Sequence, residues 1–340
     1  MKRTIMIFLT LMIVVSASLE SFAAVGASNE SVKKETENHI DVSKIDVYTD
    51  EFPSAYIEKD VVDLQDSKIR IANGKLVSED RRIETERAIS NINSNKEELL
   101  SVKKELNEGN ELIAVVDATA YVKESYKEEK GDIICESSEL LTKAELINNR
   151  SMAKAASPID SESDSLYALS IGLKLYKCSK APQRYKLVGT AQWKEGDPHL
   201  SGHPAEGKDY IGLTWGGYFD YSGESCTVTS NNSKVGLGGS KKAAATPNKA
   251  IVWKFNEYKY HVNYGNIYAK NVTAKATLNK KTLTGKGNTT GAVLKYIHTY
   301  ASADGSISIG GGAGGVAGNI TLTGCKKQWS LVVDVHKMKY

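Results

Sequence analysis

Residues 166–176, LYALSIGLKLY, set the period on which the fold is read. Tyr167, Leu169, Ile171, Leu173 and Leu175 share one parity, and Ala168, Ser170, Gly172 and Lys174 share the other. Alternate side chains of a strand leave opposite faces, so one side of this stretch is set for burial and the other for water. The same period recurs downstream. Residues 185–193 align Tyr185, Leu187, Gly189, Ala191 and Trp193, and residues 210–219 align Ile211, Leu213, Trp215, Gly217 and Phe219. Residues 251–260, 268–278, 292–300, 306–309, 319–323 and 328–336 complete the series. No helical period fills the gaps, whereas parallel pairing would need crossovers of a dozen residues or more. The expectation is a mainly β protein: a C-terminal antiparallel β-sandwich or jelly-roll-like domain, preceded by a smaller α+β or partly extended N-terminal region.

Working back from residue 166, Ser157-Pro158 and the polar run through Ser165 mark a domain boundary. Charge changes sign there. Residues 24–157 hold 28 acidic and 19 basic side chains, net −9, and residues 158–340 hold 12 and 23, net +11. Opposite signs let the two halves attract each other, and the basic half has a general affinity for polyanions.

Residues 78–107 change period. Ile83, Ile89, Ile92, Leu99, Val102 and Leu106 make a helical stripe, with Ser78 as cap, Glu79 and Asp80 in the first turn and Gly109 as stop. Asn91, Asn93 and Asn95 weaken its middle, so the stretch is one helix or two. Residues 113–123 return to alternation, Val116, Ala118, Ala120 and Val122 against Asp117, Thr119, Tyr121 and Lys123. Asn73-Gly74 is a hairpin signal within residues 68–77. Thr142 and Glu145 have capping-box spacing for a short helix over 142–149.

At the start, Lys2 and Arg3 precede an apolar run from Ile5 to Val15, and Ser21-Phe22-Ala23 offers a cut after Ala23. That is the form of a secretory leader, and the run is too short for a good membrane span. The expected organisation is a signal peptide over 1–23, a polar tether with a short hairpin over 24–76, an acidic α+β region or pro-region over 77–157, and a basic all-β domain over 158–340. The mature product is expected outside the cell, free or loosely held at its surface.

Cys135, Cys178, Cys226 and Cys325 form no CxxC pair and no zinc-ligand spacing. In an exported chain they are disulfide candidates with three possible connectivities, or unpaired thiols. Residues 197–206, DPHLSGHPAE, followed by Asp209, are the densest polar cluster. His199, His203, Glu206 and Asp209 are candidate ligands for a divalent metal in a turn-rich loop. Pro198, Gly202 and Pro204 oppose a helix there, and the HExxH arrangement is absent because Leu200 stands where its glutamate would be. No GxSxG elbow or phosphate loop is present. Glu257 is the one acid well inside a predicted β-domain strand, and a lone strand glutamate is expected to pair with a neighbouring lysine. No catalytic residue is assigned, and the chain is read as non-enzymatic.

Aromatic side chains suggest binding instead. Trp193, Tyr218, Tyr221, Trp253, Tyr258 and Tyr260 crowd the first part of the β domain and are candidates to stack on sugar rings, with core packing as the competing use. Residues 305–324, GSISIGGGAGGVAGNITLTG, carry no charge and hold two short alternating arms around a glycine run. They form either an ordinary hairpin or a segment that enters a membrane as part of a closed barrel. Together these features describe a secreted, non-catalytic bacterial protein. Its partner is an anionic envelope polymer, a polysaccharide or another secreted protein, rather than nucleic acid. The alternative is a membrane-active, pore-forming or toxin-like protein.

Overall fold

The computed structural model describes residues 40–130, 132–153, 164–178, 184–194, 204–281, 289–300, 305–311 and 316–339. The leader and residues 24–39 lie outside that set, as do residues 154–163 around the expected boundary. The quoted stretch is strand β7 (Asp164–Cys178), and its apolar parity, from Tyr167 to Leu175, is buried as the period requires. The parity expected to face water is corrected, since Ala168, Gly172 and Lys174 are buried too and Ser170 is half-buried.

β7 lies inside an eight-stranded sheet with β2 (Ile57–Asp63), β5 (Asn110–Glu129), β8 (Arg184–Lys194), β14 (Gly265–Lys280) and β10 (Phe219–Ser230), in the order β10-β14-β8-β7-β5-β2. β6 (Asp132–Leu141) adds to β5, and β13 (Tyr258–His261) adds to β14. A second sheet of six runs β1-β18-β15-β9-β12-β11, from β1 (Ile45–Tyr48), β18 (Gln328–Lys339), β15 (Thr289–Thr299), β9 (Lys208–Trp215), β12 (Ala250–Asn256) and β11 (Ser240–Thr246). Neighbouring strands pair antiparallel throughout. The two inner faces share one apolar core, with Val116, Ile171, Leu187 and Ala274 from the larger sheet meeting Leu213, Trp253, Leu294 and Leu331 from the smaller. This is a two-layer antiparallel sandwich.

Strands from both sides of the expected boundary share these sheets. β5 pairs with β7 from Asn110↔Cys178 to Ser125↔Asp164, and β1 pairs with β18. The sign change in charge is spent across the same contacts. Glu98 meets Lys174, Glu105 meets Lys186 and Lys275, and Asp50 meets Lys295. Alternation flagged only the middle of β5; β1, β2 and β6 are short or carry charges on both parities, which hides their period.

The helical stripe divides into α1 (Ile83–Ser94) and α2 (Lys96–Asn107). The asparagines that weaken a single helix make the break: the Asn95 side chain accepts the Glu98 N–H at 3.2 Å, capping α2, and Asn93 bonds the Leu76 backbone in both directions. Ser78 is not the cap; its hydroxyl donates to the Ser67 carbonyl, and α1 begins at Ile83, which is 82% exposed and off the stripe. Ile89, Ile92 and Val102 pack against Leu112, Val115, Tyr176 and Val188 on the outer face of the larger sheet. Asn73 and Gly74 adopt positive φ between β3 (Arg70–Ala72) and β4 (Lys75–Val77), as an Asn-Gly hairpin turn demands. Thr142 and Glu145 form a reciprocal capping box before α3 (Lys143–Ala153).

Of the two states open to the cysteines, all four are free thiols here. Cys178 on β7 and Cys226 on β10 are separated by β8 and β14, three inter-strand spacings or about 14 Å, well beyond the reach of a disulfide. The Cys135 and Cys325 thiols each donate to a carbonyl two residues on, those of Ser137 and Lys327. Burial lifts Cys135 to about 12 and Cys226 to about 11. Among the described residues no helix is long and apolar enough to cross a membrane.

Candidate functional site

Two polar regions stand out, one sealed inside the sandwich and one open on its back. The sealed one arises where the inward parity of four strands changes chemistry. In β15 the inward row runs Ala292, Leu294, Tyr296, His298; in β9 it runs Trp215, Leu213, Ile211, Asp209. In β12 it runs Ile251, Trp253, Phe255 and continues to Glu257 just past the strand; in β5 it runs Val116, Ala118, Ala120, Val122, Glu124. The registers Phe255↔Asp209 and Ile297↔Tyr210 bring the ends of three rows together in the smaller sheet, and Glu124 faces them from the larger one. All four ionisable side chains are fully buried.

His298 is the hub. Its Nε2 lies 2.7 Å from Glu124 Oε1, and its Nδ1 lies 3.0 Å from Glu257 Oε2 and 3.3 Å from Asp209. The Thr299 N–H donates to Asp209 Oδ1 at 2.9 Å, and the Tyr296 hydroxyl donates to Asp209 Oδ2. Tyr126 donates to Glu124 Oε2 at 2.8 Å. Trp193 and Trp329 approach the imidazole edge-on or tilted, each with its centroid 5.3 Å away. Glu257 Oε1 has no hydrogen-bond partner among the described residues.

Burying several charges together is costly unless each is paired. Burial lifts the Glu257 carboxyl well above the ordinary carboxylate range; the Asp209 charge adds to this, and His298 only partly opposes it. Burial alone would lower His298, but Glu257, Asp209 and Glu124 outweigh it and hold the imidazolium well above its usual range. Burial thus favours the neutral form of Glu257, while the acids around His298 favour its charged form.

The open region lies on the outer parity of the larger sheet, where α1 and α2 leave it uncovered. It is a cleft of about 660 Å³. Its floor carries Asp117 and Thr119 from β5, Ser170 and Gly172 from β7, Thr190 and Gln192 from β8, and Asn271 and Thr273 from β14. Asn91 and Ser94 of α1, Asn95, and Ser101 of α2 form the wall. Thr119 and Ser170 share a hydrogen bond of 2.8 Å, Arg87 pairs with Asp60 at 2.6 Å, and Lys174 pairs with Glu98 at 2.6 Å. Gly172 brings the floor close to its neighbours: a Cβ there would meet the ends of two side chains, Asp117 Oδ1 at 2.7 Å and Thr190 Oγ1 at 2.9 Å, which would have to turn aside. Asp117 is solvent-exposed, yet the walls around it strip enough water to raise its carboxyl, partly against the pull of Lys174.

The residues singled out from sequence separate in space. Trp193 and Trp253 are core side chains, 2% and 3% exposed, which corrects their reading as stacking platforms. Tyr218 and Tyr221 are half-buried, Tyr258 is half-buried with its hydroxyl on Asn266, and Tyr260 is largely exposed. Tyr221 faces Leu278 and Tyr258 faces Tyr268, ten positions apart on β14, or about 33 Å, so these rings make no common surface. Of the metal candidates, His199 and His203 lie outside the described residues, Glu206 is exposed, and Asp209 turns inward to Glu257 and His298. Glu257 meets an imidazole, not the lysine expected. Glu124 and His298 were missed. The signal for both was an ionisable residue on the apolar parity of a strand, which a search by local motif passes over.

The stretch 305–324 contributes a hairpin, β16 (Ser306–Gly311) with β17 (Gly318–Thr323). Its apolar row is already buried: Ile320 and Leu322 pack on Tyr210, Val252 and Ile297, on the outer face of the smaller sheet. Gly212 makes the socket, since a Cβ there would lie 2.3 Å from Ile320 Cδ1.

No protein-family model matches this chain, and no curated protein matches it. Among solved structures it is similar to the collagen adhesin of S. aureus, at 9% identity and a TM-score of 0.22, covering 63% of this chain and 90% of that one. It is also similar to the T6 backbone pilin of serotype M6 Streptococcus pyogenes, at 10% identity and a TM-score of 0.20, covering 62% of this chain and 60% of that one. Likenesses at these scores carry no argument about the site.

Proposed function

We propose that the protein is a secreted, non-catalytic binding protein, and that its ligand is a neutral, hydroxyl-rich chain such as a polysaccharide segment held in the outer cleft. The observation that carries this reading is the floor of the cleft: hydroxyl and amide side chains on adjacent strands, around a carboxylate that makes no hydrogen bond among the described residues. Such groups offer both donors and acceptors to hydroxyls. Five acids and four bases line the cleft, so it does not select a polyanion, the other envelope partner the basic half suggests. The hairpin of residues 305–324 would have to leave its socket before it could enter a lipid bilayer, which makes the pore-forming alternative the weaker one.

The test is binding of the full secreted chain to neutral and anionic wall polysaccharides at low and high salt, beside dye release from anionic and neutral vesicles. Retention on a neutral glycan that survives high salt, and that falls at least tenfold in Gln192→Ala and Asp117→Ala, supports the reading. Binding to anionic polymers alone, lost with salt and indifferent to those substitutions, overturns it, as does vesicle leakage at micromolar protein.

A further inference from the structure

We propose that Asp209, Glu257 and His298 form a divalent-metal site inside the sandwich, with Glu124 as the carboxylate that orients the imidazole. One ligand atom from each of the three lies within 4.8 Å of the others. Nδ1 is 3.0 Å from Glu257 Oε2 and 3.3 Å from Asp209. An ion about 2.1 Å from each donor, in octahedral or tetrahedral geometry, sets those donors about 3.0–3.4 Å apart. The two separations from the imidazole already match edges of a coordination polyhedron, and the third pair, Asp209 and Glu257, lies within 4.8 Å.

Three further features point to an ion. Nε2 faces Glu124 at 2.7 Å, which holds the Nε2 proton there, so that giving up the Nδ1 proton would leave a lone pair aimed between Glu257 and Asp209. That is the carboxylate–histidine–metal arrangement, in which the outer carboxylate makes the ring a better ligand. Asp209 and Glu124 are themselves held by Tyr296, Thr299 and Tyr126, which leaves the ligand set little freedom to relax. The second oxygen of Glu257, in a side chain with no solvent exposure, has no hydrogen-bond partner among the described residues. A buried acceptor left empty demands an explanation, and a cation shared with Asp209 and His298 supplies one.

Two carboxylates and one imidazole suit a borderline first-row ion such as Zn²⁺ or Mn²⁺, better than Ca²⁺ or a thiolate-seeking ion. The ion would replace the Nδ1 proton and tie β9, β15 and the end of β12 to one another, and through His298–Glu124 to β5 in the opposite sheet. With Trp193 and Trp329 closing over the imidazole, the role is structural. This site shares Asp209 with the metal loop expected from sequence, but it lies in the core and needs neither His199 nor His203. It is independent of the cleft and its ligand.

The test uses the full secreted chain, unfolded in guanidinium with chelator, then refolded with Zn²⁺, with Mn²⁺, or with chelator still present, and dialysed. One equivalent of Zn²⁺ or Mn²⁺ retained, a thermal midpoint several degrees above the chelated sample, and loss of both in Asp209→Asn and Glu257→Gln are expected. No retained ion and identical midpoints would overturn the proposal; so would full retention in both variants. Should the variants not fold, ¹⁵N shifts of His298 in the wild type decide. A metal-bound Nδ1 with a protonated Nε2 supports the site, and two protonated ring nitrogens in excess metal overturn it.

Discussion

Strand β5 shows on its two faces what separates the interior of this molecule from its back. Its even positions run Val116, Ala118, Ala120, Val122 and then Glu124; its odd positions run Asp117, Thr119, Tyr121 and Lys123. Glu124 and Asp117 are both carboxylates on one strand, yet the first is sealed against an imidazole and the second faces an open cleft. The pleat decides which solvent each meets. An inward acid must find fixed partners within hydrogen-bond reach, while an outward acid can be left to water or to a ligand. The comparison teaches that an acid's parity, more than its local motif, tells what it does in this protein.

The hardest test of that contrast is His298→Leu. It leaves three acidic side chains facing one another without their common partner, in a place water does not reach. Removing one partner of a buried charge set costs about 3–5 kcal/mol, and urea unfolding should show at least that loss or no folded protein. A loss below about 1 kcal/mol would mean that the inner cluster is wet, and the contrast would collapse.

Glu105 tests the seam between helix and sheet. It is fully buried, donates nothing, and accepts from Lys186 and from Lys275 at 3.1 Å, holding α2 on β8 and β14. Burial alone would raise its carboxyl, but the two lysines outweigh it and leave it below the ordinary range. Glu105→Ala is expected to cost about 3 kcal/mol at neutral pH. A depressed carboxyl stabilises the fold above its unfolded pKa, and that stabilisation fades as pH falls through the folded value. The difference between wild type and variant in urea midpoint should therefore shrink under acid. A difference that is unchanged or larger at low pH would place the interaction elsewhere.

The outward faces of the two sheets differ as sharply as the two faces of β5. On the smaller sheet the hairpin of β16 and β17 covers the surface and Gly212 receives Ile320; on the larger sheet Gly172 lies in the floor of an open cleft. Gly212→Ala overpacks its socket, at an expected cost of about 1–3 kcal/mol, with faster proteolysis between residues 305 and 324. If the hairpin stays protected and stability is unchanged, it is not seated through that contact.

Much of this architecture could be read from residues alone because alternation is a local signal. Five apolar residues at every second position in β7 leave little else for that stretch to be, and the asparagines of 91–95 announced a break in the helix. The acidic half joining the basic half's sheets was not legible, since strand pairing over large sequence separation leaves no local trace. The buried cluster failed for the same reason. Glu124 is 174 positions from His298, so their meeting leaves no local trace even though each falls on the apolar parity of its own strand. Trp193 and Trp253 were misread because ring composition says nothing about parity, although both fall on the apolar one.

The smallest expected effect is the most specific to the cleft. Asp117 sits where the surrounding protein raises its carboxyl, so ionising it in the folded state is harder than in the unfolded chain. The sign is opposite to that of Glu105: wild type loses stability relative to Asp117→Asn as pH rises from the ordinary aspartate value through the folded one, and the difference is then constant. Because Asp117 is open to water, the gain in Asp117→Asn should stay within about 0.5 kcal/mol. It should be visible as a slightly higher urea midpoint at pH 7 and none at pH 3. The same substitution should weaken glycan retention, since an amide cannot accept as a carboxylate does. An acid that destabilises its own fold and strengthens binding is placed for the ligand; one whose replacement stabilises the protein and leaves binding untouched is only a strained bystander, and the cleft would lose its claim.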